Sequence, residues 1–151
     1  MQVRLAENVG AAGLAAPATV GDGFDLLSGA AVFKRFVFDD RGTIMVSAAP
    51  GCGPTVSIAS AKLFGFYSEH LADVGPEGWG PMGPGSATNR GLLNQAAAGV
   101  IAQVGTSPIL LLEDVDGLLT VERIAVALGA ITVGSGEALV NVDLIFKRRG
   151  T

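Results

Sequence analysis

The chain has 151 residues, with 10 basic and 14 acidic side chains and a net charge of −4, enough length for one domain with its own core. Charged residues make up only 16%, against roughly 25% in a typical soluble domain, and mean hydropathy is +0.48. One cysteine (Cys52) and one histidine (His70) exclude an internal disulfide framework, a cysteine zinc site and any mechanism needing two histidines, and the acidic balance argues against non-specific nucleic-acid binding.

Residues 1–30 read as an N-terminal arm, flexible or ordered on a partner. They are rich in Ala and Gly, contain Pro17 and hold no sustained period. Leu5, Leu14, Phe24, Leu26 and Leu27 are the arm's candidate anchors. A single β-rich domain is expected over 31–149. Val32, Phe33, Phe36, Val37 and Phe38 are strand formers, and Asp39-Asp40-Arg41-Gly42 is turn chemistry. Residues 43–47 then form a second strand, so the two read as a hairpin.

Residues 55–67 alternate as one extended, kinked strand, with Gly65 between Phe64 and Phe66 marking a bulge or a close approach. Residues 68–94 are irregular. Their Gly/Pro run around Trp79 and Met82 blocks any long helix. Residues 92–104 fit either a helix face or, from Gly99, a strand. Residues 109–112 read as a short strand and 113–117 as a charged loop. In 121–128, Ile124, Val126 and Leu128 form the better core face, with Glu122 at its edge. Residues 130–133 stay extended, and 134–137 form a tight turn. Residues 138–147 alternate most clearly, with Val140, Val142, Leu144 and Phe146 on one side. Together these predict an all-β fold, a β-sandwich or jelly-roll-like barrel of about seven short antiparallel strands.

High hydropathy raises the question of a membrane span, which takes about 20 mostly apolar residues. The longest uncharged stretches are 42–61 and 91–112. The first carries Pro50 and Pro54, the second Asn94, Gln95, Gln103 and Pro108, so neither suits a lipid-embedded helix. The N-terminal residues lack the charged head and unbroken apolar centre of a signal peptide. The sparse charge is instead expected to reflect surface covered by other chains.

No constellation carries chemistry. Gly134-Ser135-Gly136 lacks the Lys-Ser/Thr ending of a phosphate loop. Ser68-Glu69-His70 is local rather than convergent, and no Gly-x-Ser-x-Gly elbow exists. Glu113, Asp114 and Asp116 lack EF-hand spacing. Cys52 has no basic neighbour to lower its pKa. No catalytic, metal-binding or cofactor-binding residue is assigned. Trp79 either caps the sheet or packs on a neighbouring subunit. Lys147-Arg148-Arg149 is a solvated tail or an anchor on an acidic surface, with Arg148 its candidate contact.

Several segments carry a family likeness. These are Leu63-Phe64-Gly65-Phe66-Tyr67, the Trp79-Gly80-Pro81-Met82-Gly83-Pro84-Gly85 loop, Arg90-Gly91-Leu92-Leu93-Asn94, Asp116-Gly117-Leu118, Glu122-Arg123-Ile124-Ala125-Val126 and Val142-Asp143-Leu144-Ile145-Phe146. Over residues 55–148 the chain resembles small virion structural proteins of tailed bacteriophages, most of all the decoration (cement) proteins of the head. It implies a β-rich, non-enzymatic protein that self-associates, often as a trimer. Such a protein is made in the host cytoplasm and binds the outer surface of a major capsid protein lattice in the virion. It implies neither nucleic acid nor membrane as partner. The alternatives are another virion component of neck, tail or fibre, and, from a different class, a small-ligand-binding β-barrel module or enzyme.

Overall fold

The computed structural model describes residues 2–19, 21–26, 42–66, 78–82, 101–102, 109–115 and 121–146. These form eleven strands: β1 (Gln2–Val9), β2 (Phe24–Asp25), β3 (Gly42–Ala48), β4 (Ser57–Ile58), β5 (Ala61–Phe66), β6 (Trp79–Pro81), β7 (Ile101–Ala102), β8 (Ile109–Val115), β9 (Arg123–Leu128), β10 (Ile131–Thr132) and β11 (Val140–Phe146). Every strand pairing is antiparallel. No helix occurs among the described residues.

Eight strands make two four-stranded sheets, ordered β1-β11-β3-β8 and β2-β9-β5-β6. Their pairings are nested. The first strand meets the last (β1 with β11), β2 meets β9, β3 meets β8, and β5 meets β6. That is the pattern of one long hairpin with its tip between β5 and β6. The added pairs β11–β3 and β9–β5 roll the hairpin up on itself. The result is a double-sheet jelly roll, so the all-β expectation holds.

The inner faces come from simple alternation. Val140, Val142 and Leu144 of β11 and Ile44 and Val46 of β3 are fully buried on one sheet. Leu63 of β5 and Ile124, Val126 and Leu128 of β9 are buried on the other, and all join a single cluster. Ile58 of β4 and Ile131 of β10 extend that cluster into a small third sheet, β10-β4-β7.

Strands β4 and β5 are one ribbon with β10 and β9. Ile131 lies opposite Ile58 and Leu128 opposite Ala61, so the register continues across a break at residues 59–60 and 129–130. The kink expected in 55–67 therefore lies at Ala59–Ser60. Gly65 marks a close approach instead, since a Cβ there would lie 2.7 Å from Val121 Cγ1 and 3.1 Å from Met82 Sδ.

Several expectations are corrected. The described residues of 1–30 are not a detached arm. β1 is an edge strand of the first sheet, Leu14 exchanges both main-chain bonds with Leu128, and β2 pairs with β9. Two register shifts in β1 break the period-2 signal that would have revealed it. Residues 32–38, the expected hairpin partner of 43–47, lie outside the described residues, and the neighbours of β3 in its sheet are β11 and β8. Strand β8 continues through residues 113–115, which had read as loop. Among the described residues the strands number eleven, against about seven expected, and four of them are only two residues long. Of the helix-or-strand segment 92–104 only Ile101–Ala102 is described, and it is strand β7; the rest lies outside the described residues.

The irregular edge strand is held from the outer face of β11. Asn141 and Asp143 point away from the core yet are buried. Asn141 Oδ1 accepts the Asn8 N–H at 3.0 Å, where Asn8 has a left-handed φ of 52° that Asn tolerates better than most residues. Arg4 Nε donates to Asp143 Oδ1 at 2.6 Å. The bulges also bend this edge away from a flat template for strand addition.

Removing Arg4 leaves the Asp143 carboxylate buried without its cation. Arg4→Ala is expected to lower unfolding stability by about 1–3 kcal/mol in urea denaturation, and Asp143→Asn in that background to restore part of the loss. Leu63→Ala, which empties a fully buried core position, is expected to cost about 2–5 kcal/mol in the same assay.

Candidate functional site

The candidate contacts divide by burial. Leu26, Trp79 and Met82 are buried inside the domain, so their surfaces are covered by this chain and not by a partner. Leu5, Leu14 and Phe24 are half-buried and pack against the main core. Leu27 and Arg148 lie outside the described residues, as do His70 and Asp116. Cys52 is half-buried in the loop after β3, where its Sγ accepts the Leu139 N–H at 3.4 Å. Glu113 and Asp114 belong to strand β8. Among the described residues no group of three His, Cys, Asp or Glu side chains could hold a metal ion.

The structure does assemble a polar and aromatic clamp that sequence reasoning did not anticipate. On the outer face of the second sheet, Trp79 and Phe66 meet edge-to-face with ring centroids 5.4 Å apart, a favoured aromatic geometry. They form a satellite cluster with Ala125 and the half-buried Phe64, and Lys62 Nζ lies 5.6 Å from the Phe64 ring centroid. Thr19 and Gly23 lie against this cluster. Trp79 Nε1 donates to the Thr19 carbonyl at 2.7 Å. Gly23 has φ +73°, and a Cβ there would stand 2.8 Å from the Trp79 ring, so glycine is required on both counts.

Two charged residues tie the same loop. The Arg123 guanidinium donates to the carbonyls of Asp22 (2.8 Å), Gly21 (3.2 Å) and Gly23 (3.0 Å), and lies 3.7 Å from the Asp25 carboxylate. Asp22 Oδ2 accepts the N–H groups of Ala18 (2.8 Å) and Thr19 (2.9 Å). These two main-chain bonds, with a smaller contribution from the Arg123 charge, hold the Asp22 carboxyl below its ordinary value of 3.8. Only the spacing of Asp22 three residues after Thr19 hinted at this turn. The pairing with Arg123, a hundred residues away, had no local signal.

Beside the clamp is a groove of about 300 Å³. Leu5 and Ala6 of β1 line one wall, Leu14 to Pro17 a second, and Asp22, Gly23 and Ile124 to Val126 the third. It runs along the side where the two sheets approach through β1 and β9. Its described lining side chains are apolar apart from Asp22, whose carboxylate accepts the Ala18 and Thr19 N–H groups. They include no acid–base pair and no nucleophile.

No family model, curated protein or solved structure matches this chain.

The depressed Asp22 pKa sets the sign of a pH effect. Its contribution is fully present above the unfolded carboxyl value and is lost as pH falls through the lower folded value. Acid titration followed by NMR is expected to move the Ala18 and Thr19 amide resonances together in that window below 3.8. Asp22→Ala is expected to abolish the step and speed hydrogen exchange in loop 18–23. Trp79→Phe, which keeps the ring packing but loses the bond to Thr19, is expected to cost about 0.5–1.5 kcal/mol in urea denaturation.

Proposed function

We infer that this chain is a structural virion protein that binds the outside of a capsid lattice as an oligomer and stabilises the shell by bridging neighbouring capsomers. The observation that carries the reading is the jelly-roll winding, an architecture used by capsid domains and other assembly or recognition modules. The 16% charged content supports it further, since surfaces covered by other chains are depleted in charge.

The mechanism is mass action. A clip that binds the assembled lattice and not free subunits stabilises assembly by its own binding free energy. Symmetric copies multiply weak contacts into tight attachment. A jelly roll suits the task because its two sheets are closed against each other, leaving outer faces and edges for partners. With residues 2–9 and 24–25 paired in those sheets, this reading assigns attachment to the folded surface rather than to a loose arm. The reading assigns self-association, with the trimer as its favoured form, and a major capsid protein as partner. It involves no catalysis, cofactor or nucleic acid.

Two measurements test it. Light scattering of the purified protein is expected to give a mass that is a multiple of 15.2 kDa, three-fold for the trimer. Electron microscopy of particles carrying the protein is expected to place it at regular positions on the shell exterior. A stable single-chain species at micromolar concentration, or density at a neck or tail instead of the shell, overturns the assignment.

A further inference from the structure

The sequence places glycine directly after aspartate twice, at Asp22-Gly23 and at Asp116-Gly117. In such a pair the glycine nitrogen, unshielded by a Cβ, can attack the aspartyl side-chain carbon. The N–Cγ bond forms, and a carboxyl oxygen leaves as water with its own proton and the amide proton. Water then reopens the five-membered succinimide. Opening at the former main-chain carbonyl reroutes the chain through Cβ and Cγ and gives isoaspartate. The balance needs no reagent besides water. Two conditions govern the first step. The carboxyl must be protonated, because an ionised oxygen is a poor leaving group, and Cγ must reach the glycine nitrogen.

The structure opposes both conditions at Asp22, although Asp22 and Gly23 are exposed and open to water. Asp22 Oδ2 accepts the N–H groups of Ala18 and Thr19 at 2.8 and 2.9 Å. These bonds favour the ionised carboxyl. They also tie it to residues that precede it, whereas the attacking nitrogen follows it. Arg123 holds the carbonyls of Gly21, Asp22 and Gly23, so the main chain on both sides of the reacting carbon is fixed as well. Gly23 is confined further by the Trp79 ring, 2.8 Å from where its Cβ would stand.

We propose that Asp22-Gly23 is a self-modification site kept closed by the Arg123 clamp, and that isoaspartate forms there when residues 21–23 leave Arg123. The product does not fit back. The side-chain carboxyl that Ala18 and Thr19 address becomes a main-chain amide, and the Asp22 carbonyl that meets Arg123 Nε becomes a free carboxylate. One added carbon also separates the Gly21 and Gly23 carbonyls that Arg123 spans. Opening of the segment is thereby converted into a one-way chemical change, and Trp79 Nε1 loses the fixed position of its acceptor, the Thr19 carbonyl. This assignment does not depend on the virion reading and holds or fails separately from it.

The test incubates the full-length chain at neutral pH, in native buffer and in urea, and follows both Asp-Gly pairs by peptide mass spectrometry. The succinimide is one water lighter, and isoaspartate resists an aspartate-directed protease. In urea the two pairs are expected to convert at similar rates. In native buffer Asp22 is expected to convert roughly tenfold or more slowly than in urea, since ring closure breaks bonds to a charged group. Trp79→Phe, which keeps the ring packing and loses the Thr19 bond, is expected to raise the native Asp22 rate, and Arg123→Gln to raise it further. The Asp116 rate is the control, because a variant that unfolds the chain accelerates both pairs and one that only opens the clamp accelerates Asp22 alone. Equal Asp22 rates in native buffer and urea overturn the proposal. So does a native Asp22 rate that neither variant moves, or that moves only together with the Asp116 rate.

Discussion

The packing of β11 against β9 across the sandwich is the constraint on which the rest depends. Val140, Val142 and Leu144 project from one sheet and Ile124, Val126 and Leu128 from the other, all buried in one cluster. Both strands are internal to their sheets, so each also carries two hydrogen-bonded neighbours. With charged residues so sparse, burial of branched aliphatic side chains is the dominant favourable term. Once these two strands face each other, the nested pairings of β1, β2, β3 and β5 leave few other places for the chain to run.

The outer faces are handled differently on the two sheets. On the β11 side, Asn141 and Asp143 bind the bulged edge strand through Asn8 and Arg4. On the β9 side, Trp79 and Phe66 form an aromatic patch against which Thr19 and Gly23 lie. Arg123 joins the two tasks, since it belongs to β9 but satisfies the loop's carbonyls. The described main-chain groups of this segment turn to one another and to Arg123.

The same economy bears on the molecule's role. A domain with few charged groups has few means of repelling copies of itself, and a closed two-sheet core supplies rigid faces on which repeated contacts can be built. Among the described residues, Asp22, Arg123, Arg4 and Asp143 each hold main chain or one another.

Periodicity made the fold class and its core legible. Residues 138–147 and 121–128 alternate so regularly that their inner faces could be read before any coordinates, and Val140, Val142, Leu144, Ile124, Val126 and Leu128 are buried as expected. Gly65 could likewise be read as a point of close contact, because a glycine between two phenylalanines has few other reasons to be in a strand. β1 was not legible, since its bulges destroy the period that a local reading depends on. Nor was the clamp, because Arg123, Trp79 and loop 18–23 are brought together only by the β2–β9 and β5–β6 pairings. Side-chain alternation acts within a few residues and is written into the sequence directly. Which edges remain paired or open depends on how distant strands meet, and only the folded chain decides that.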